Sequence, residues 1–325
     1  MPIYFPKIKD IGWAITPPVI PRGGIKDSRS KTNKPLAKTI LQMITTTDVN
    51  QLLPIHNKVF DHLWVDKIEG STVQIGEREI KIKKRLGWGG TKSAYDAEVN
   101  GVSIALILPT VDETHLFPKD RWNIALKEPA STRIVRNLGI CTNPICEAVP
   151  VLISGNEFIG LVMMRYQDLP YKIIDLKDPQ GSTLDKPVLP KDFSVDSILE
   201  LLSPVIDDFV LLEKNSIHVV GDSLNACVDS RGNLRVYLSD LVGTVGRDNE
   251  YNVKQLNEDD FYKACLEMAG KVLDVWNSTF WATGTNLKDF DKDTYEDIER
   301  SRERNNKHSS KICSAITRQL MEKLK

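Results

Sequence analysis

Three glycines within four positions, Gly87, Gly89 and Gly90, interrupt the strand-like run Leu86-Gly87-Trp88-Gly89-Gly90-Thr91-Lys92-Ser93-Ala94-Tyr95. Ahead of it, Ile80-Lys81-Ile82-Lys83 alternates apolar and basic residues. Behind it, Ala97-Glu98-Val99-Asn100-Gly101-Val102-Ser103-Ile104-Ala105-Leu106 reads as strand, short hairpin, strand. Glycine has no Cβ and tolerates positive φ, so a backbone with this spacing can close tightly over a ligand. Phosphate loops of the Walker or dinucleotide type pass from a strand into a helix, whereas this one passes from strand to strand. A ligand-covering hairpin and a plain tight turn both satisfy the pattern.

At 325 residues the chain can form one large domain or two lobes with a real core. A net charge of −1 gives no global field toward nucleic acid, and none is expected as a partner. Basic residues cluster at Arg22–Lys38 and again near the C-terminus. No run approaches the length of a membrane span. Met1-Pro2-Ile3-Tyr4-Phe5-Pro6 lacks the basic-then-apolar order of a signal peptide, so a cytosolic location is expected, in a host cell if the protein is secreted there. Cys141, Cys146, Cys227, Cys265 and Cys313 are odd in number and show no zinc spacing, which points to reduced thiols.

Three segments are expected: an extended, proline-rich arm over 1–35, a small strand-rich lobe with a helical extension over 36–164, and a helical large lobe over 165–325. Apolar spacing predicts helices within 36–68, near Trp122–Leu138, over Val195–Leu212, over Asp259–Phe280 and roughly over Tyr295–Lys325. Strands are predicted at Ala148–Ile153, Phe158–Met164, Ala226–Val228 and Leu234–Leu238, the last two joined by Asp229-Ser230-Arg231-Gly232-Asn233. In the C-terminal helix Ile312, Ile316, Leu320 and Leu324 form one stripe. Core packing is its ordinary use, and contact with acidic lipid is the alternative, given Lys311, Arg318, Lys323 and Lys325 around it.

The order small strand-rich lobe, connecting strand, helical lobe with a short hairpin resembles the protein-kinase superfamily over about 80–280, which implies an α+β, two-lobed fold with an N-terminal extension. The segment from His218 through Asn225 to Asp240 is similar to a kinase catalytic loop, hairpin and metal-binding Asp-x-Gly motif. The resemblance implies an ATP-dependent phosphotransferase acting on a protein substrate, with Asn225 and Asp240 as ligands of Mg²⁺ or Mn²⁺. Such cations favour oxygen donors completed by phosphate and water. Asx residues flanking a hairpin are also ordinary turn formers. His218 is read as a packed core histidine.

The departures from the family reshape the expected site. Val220 stands where the catalytic aspartate belongs, and Asp222 is the nearest carboxylate able to accept a hydroxyl proton. Ile107 stands where the strand lysine belongs. The resemblance implies Lys92, at the third glycine position of the hairpin, as the replacement and Glu128 as the helix glutamate that orients it; a solvated turn lysine and a surface glutamate also satisfy the sequence. Gly87, Gly89 and Gly90 would cover the phosphates, and Met164 and Tyr166 would meet adenine. No proline follows Pro204, so the usual activation-segment Ala-Pro-Glu is absent.

These departures resemble atypical, Legionella-type effector kinases, one of which is regulated by inositol hexakisphosphate. Lys81, Lys83, Lys84 and Arg85 would receive such a polyanion, which would order the glycine loop by binding the active state better. A catalytically inactive pseudokinase that binds nucleotide or inositol polyphosphate stays open. So does another ATP-dependent transfer, adenylylation or glutamylation, because fold alone does not separate them.

Overall fold

The computed structural model describes residues 68–75, 78–88, 92–99, 101–109, 125, 128–153, 156–174, 176, 189–190, 192–219, 223–241, 256–282, 291–303 and 305–325. The arm, the helices expected within 36–68, Gly89, Gly90, Val220 and Asp222 lie outside these residues. The chain divides into two compact units, one taking residues up to 134 and 143–169, the other 135–142 and 170–325.

The first unit is built on β1 (Thr72–Ile75), β2 (Arg78–Trp88), β3 (Lys92–Val99), β4 (Val102–Pro109), β6 (Cys146–Ile153) and β7 (Asn156–Met163). All neighbours are antiparallel, in the order β1-β2-β3-β4-β7-β6. The set closes on itself where Gln74 of β1 meets Leu152 of β6, so the strand-rich part of the chain is a closed six-stranded barrel. Closure removes the unpaired edges that an open sheet leaves. Alternation sets the interior: Val73, Ile75, Ile80, Ile82, Tyr95, Ala97, Val99, Ile104, Leu106 and Leu108 are all buried. In β4 the opposite face is covered too, since Ala105 and Ile107 are also buried. Gly101 holds φ 77° in the connection between Val99 and Val102, a left-handed conformation that a two-residue hairpin loop demands. Helix α1 (Glu128–Asn137) follows the barrel's first four strands, and the division between the units falls within it.

The second unit holds β5 (Cys141–Thr142), β8 (Lys172–Ile174), β9 (Leu224–Val228), β10 (Leu234–Leu238), α2 (Val195–Lys214), α3 (Glu258–Ala282), α4 (Lys292–Arg302) and α5 (Lys311–Leu324). Its sheet runs β5-β10-β9-β8, with β5 parallel to β10. The β9–β10 turn is made by Asp229, whose Oδ1 accepts from the backbone N–H groups of Arg231 (2.8 Å) and Asn233 (2.9 Å). This is the local Asx bonding that makes aspartate a turn former. Arg235 of β10 donates through Nε and Nη2 to Asp208 of α2 at 2.8 and 2.6 Å, which ties the sheet to the helix and holds the guanidinium firmly charged. Phe193, Trp276 and Phe280 stack their edges and faces in the helical core, with centroids 5.6–6.3 Å apart.

The C-terminal stripe is spent in this core: Ile312, Ile316, Leu320 and Leu324 are at most 5% exposed. It therefore offers a bilayer no apolar face, and the acidic-lipid alternative loses its physical basis. The single long helix expected over Tyr295–Lys325 is two helices. Asp291 caps α4, and Ser310 caps α5 by accepting from Cys313 N–H at 3.1 Å, after a 3₁₀ turn at Lys307–Ser309. All five cysteines are free and buried. No helix among the described residues is long and apolar enough to cross a membrane.

Candidate functional site

In the first unit, Lys92 opens β3 directly after the glycine hairpin, and its ammonium bonds the carboxylate of Glu128 on α1. The two residues are 36 positions apart in sequence, and their side chains are only 16% and 5% exposed. A lysine is a compact point charge suited to phosphate, and its flexible stem needs a partner to hold one position. Glu128 supplies that partner. Cys146 of β6 lies beneath the pair. Burial, reinforced by the Glu128 charge, pushes its thiol well above the ordinary range and keeps it protonated. Ile107 is buried in β4 opposite Ala94, in keeping with its replacement of the expected strand lysine. Gly87 lies exposed in β2 beside an irregularity in the β2–β3 register, and a Cβ there would meet only open space.

Met164, after β7, is 2% exposed, so its side chain lies in the core. Its backbone N–H donates to Asn143 Oδ1 at 3.2 Å, and its carbonyl accepts from Asn143 Nδ2 at 2.8 Å. Tyr166 is 46% exposed at the start of a 3₁₀ turn and does present its ring. Arg165 between them is fixed by Asp96 (3.0 Å) and Asp168 (2.6 Å). Sequence reasoning missed Asn143 and Arg165; the only local hint was the Asn143-Pro144 turn signal.

On β2 the basic stripe is less concentrated than its sequence suggests. Lys81, Lys83, Lys84 and Arg85 are all exposed, but Lys83 meets Glu98 at 2.5 Å, and that contact holds the Glu98 carboxyl below its usual range. The backbone N–H of Arg85 donates to Glu69 Oε1 at 2.7 Å. Through Lys83 and Glu98, like-charge repulsion along the strand is partly relieved within the chain itself.

In the second unit, Asn225 sits on β9 opposite Tyr237, and Asp240 follows the end of β10. Asp240 is exposed and holds φ 51°, a left-handed conformation that aspartate tolerates better than most residues but that persists only where its surroundings enforce it. Asn225 Nδ2 donates to Ser239 Oγ at 2.9 Å, while its Oδ1 accepts a long bond from Leu176 N–H at 3.4 Å. An amide oxygen and an exposed carboxylate are donors that a hard divalent cation takes. The described residues hold no cluster of three or more metal-ligating side chains, so triphosphate and water would have to complete the shell. His218 departs from its expected place in the core. Its side chain is 51% exposed, with Nδ1 3.9 Å from Glu213, and partial burial together with Lys271 lowers its proton affinity.

No family model matches the sequence, and no curated protein matches it. Among solved structures, the chain is similar to the Helicobacter pylori proinflammatory kinase CtkA at 13% identity and a TM-score of 0.34, covering 75% of this chain and 96% of that one. It is similar to the kinase domain of Mycobacterium tuberculosis PknI, in a double-mutant form, at 13% identity and a TM-score of 0.33, covering 76% and 96%. Likenesses this slight leave the functional reading to the site residues themselves.

Proposed function

We propose that the chain is an ATP-dependent phosphotransferase of the protein-kinase type, with a protein as its acceptor. The observation that supports it most is the buried Lys92–Glu128 pair. It re-creates, from a lysine on a different strand, a cation held by a helix carboxylate where nucleotide phosphates need neutralising. In this reading Gly87, Gly89 and Gly90 cover the triphosphate, and Lys92 balances its charge. Asn225 and Asp240 hold Mg²⁺ or Mn²⁺, which supplies electrostatic stabilisation as the γ-phosphoryl leaves. Asp222 accepts or orients the acceptor hydroxyl. Exposed Lys81, Lys84 and Arg85 would take an inositol polyphosphate as activator, a role in which Lys83 is weakened by Glu98.

A pseudokinase is the second reading, favoured by Ile107 and Val220 in the places of two reacting groups. Labelled ATP separates the alternatives. Protein incubated with Mn²⁺ and ATP labelled at either the γ- or the α-phosphate should retain only the γ-label. Retention of the α-label would mean nucleotidyl transfer instead, binding without retained label but with ATP consumed would mean another transfer such as glutamylation, and binding with neither label retained nor ATP consumed would mean a pseudokinase. Running the γ-label with and without inositol hexakisphosphate tests the activator.

A further inference from the structure

Two serines that no motif singles out connect the candidate metal ligands. Ser223 precedes β9 and is buried. Its hydroxyl donates to the Asp240 carbonyl at 2.8 Å, and its own carbonyl accepts from Ser239 N–H at 2.9 Å. Ser239 in turn offers its Oγ to Asn225 Nδ2 at 2.9 Å. The result is a run of three hydrogen bonds, Asn225 to Ser239 to Ser223 to Asp240, across the open end of the β9–β10 hairpin.

From this geometry we infer that Ser223 and Ser239 are positioning residues for the metal: Ser223 locks the left-handed turn that sets the Asp240 carboxylate, and Ser239 anchors the nitrogen end of the Asn225 amide, whose oxygen Leu176 N–H orients, so that the side chain is held in place for the cation. This rests on the metal-binding part of the proposed function. The physical need is specific. A left-handed non-glycine residue relaxes unless it is held, and a carboxylate that swings with its backbone loses the alignment that octahedral coordination of a small cation requires. An asparagine side chain is nearly symmetric in shape, so only its hydrogen-bond partners decide which end it presents. Leu176 N–H, which can only donate, orients the amide oxygen at 3.4 Å, and Ser239 Oγ anchors the nitrogen end at 2.9 Å.

The test is Mn²⁺ affinity in the presence of ATP, measured on the full chain for wild type, Ser223→Ala, Ser239→Ala and Ser239→Thr, beside the melting temperature of each without ligand. Loss of one positioning hydrogen bond should weaken Mn²⁺ by roughly 3- to 10-fold in each alanine variant. Ser239→Thr keeps the hydroxyl and should recover affinity near wild type. Unliganded melting of Ser239→Ala should stay close to wild type, which a merely structural role would not allow alongside weakened metal. If wild type binds Mn²⁺ with ATP and both alanine variants bind it equally well, the positioning role is overturned while the functional reading stands. If threonine fails to rescue a weakened Ser239→Ala, the hydroxyl is not the agent and the role of Ser239 is overturned. If wild type binds no Mn²⁺ with ATP, the metal reading itself is overturned and the positioning role goes with it.

Discussion

Replacing Lys92 by methionine keeps most of the side chain's length and removes its charge. Glu128 then stays in a place where its side chain is 5% exposed, without the ammonium that balanced it. Breaking a fully buried ion pair from one side destabilises by about 3–5 kcal/mol, because the remaining charge is stranded away from water. Lys92 keeps 16% of its side-chain exposure, so the site is not fully dry and about 2–4 kcal/mol is the expected loss. Replacing both partners, as in Lys92→Met with Glu128→Leu, removes the stranded charge and should recover most of this, leaving the double variant within about 1 kcal/mol of wild type. The assay is urea unfolding at neutral pH, with amide exchange in β3 and β4 reporting the first unit by itself. If the single variant lies within about 0.5 kcal/mol of wild type, or the double is no more stable than the single, the pair is not the buried, coupled contact described.

Three further outcomes follow from particular contacts. At Gly160 an added Cβ would sit 3.0 Å from Val151 Cγ2 and 3.1 Å from the Ile107 carbonyl, and that backbone oxygen cannot yield. Gly160→Ala should therefore destabilise by about 1–3 kcal/mol, whereas Gly87→Ala, facing open space, should not; equal denaturation midpoints for the two would refute the steric account. Burial raises the Glu213 carboxyl above its ordinary 4.5, so the folded state binds that proton more tightly than the unfolded chain and loses stability as pH rises from 4.5 upward through the folded value. Glu213→Gln lacks this term, so its melting advantage over wild type should widen from pH 5 to pH 8, and a constant difference would contradict it. The five buried thiols should resist a thiol reagent in the native protein and all react in denaturant, with Cys265 pushed up to about 11 by burial; prompt native labelling would contradict the burial described.

What could be read from the sequence follows a physical line between local and non-local causes. β10 and the Asp229 turn come from short-range alternation and Asx chemistry, and the sequence expectation for Leu234–Leu238 coincides with the strand. The Ile312–Leu324 stripe likewise reads as core because its period is helical. Closure of the barrel between Gln74 and Leu152 has no local signal, since it depends on two strands far apart in sequence meeting. The break between α4 and α5 is written in Ser310, but a serine in a polar stretch is also an ordinary helix-surface residue. Lys92 and Glu128, singled out by their positions in the pattern the chain resembles, are paired in the structure. Asn143, Ser223 and Ser239 were not found, because they act through tertiary hydrogen bonds that leave no pattern along the chain. Met164 could be read either way, because an apolar residue at the end of a strand looks alike in sequence whether it faces a ligand or the core; it is buried.

The most direct measurement of the central claim is calorimetric titration of ATP in the presence of Mn²⁺ into wild type, Lys92→Met and Asp240→Ala. Each variant alters one of the two compact units. On the proposed function ATP with Mn²⁺ should bind wild type, and its affinity should fall at least tenfold in each variant, because either change would leave triphosphate charge unbalanced. Wild-type affinity retained in either variant would contradict the account.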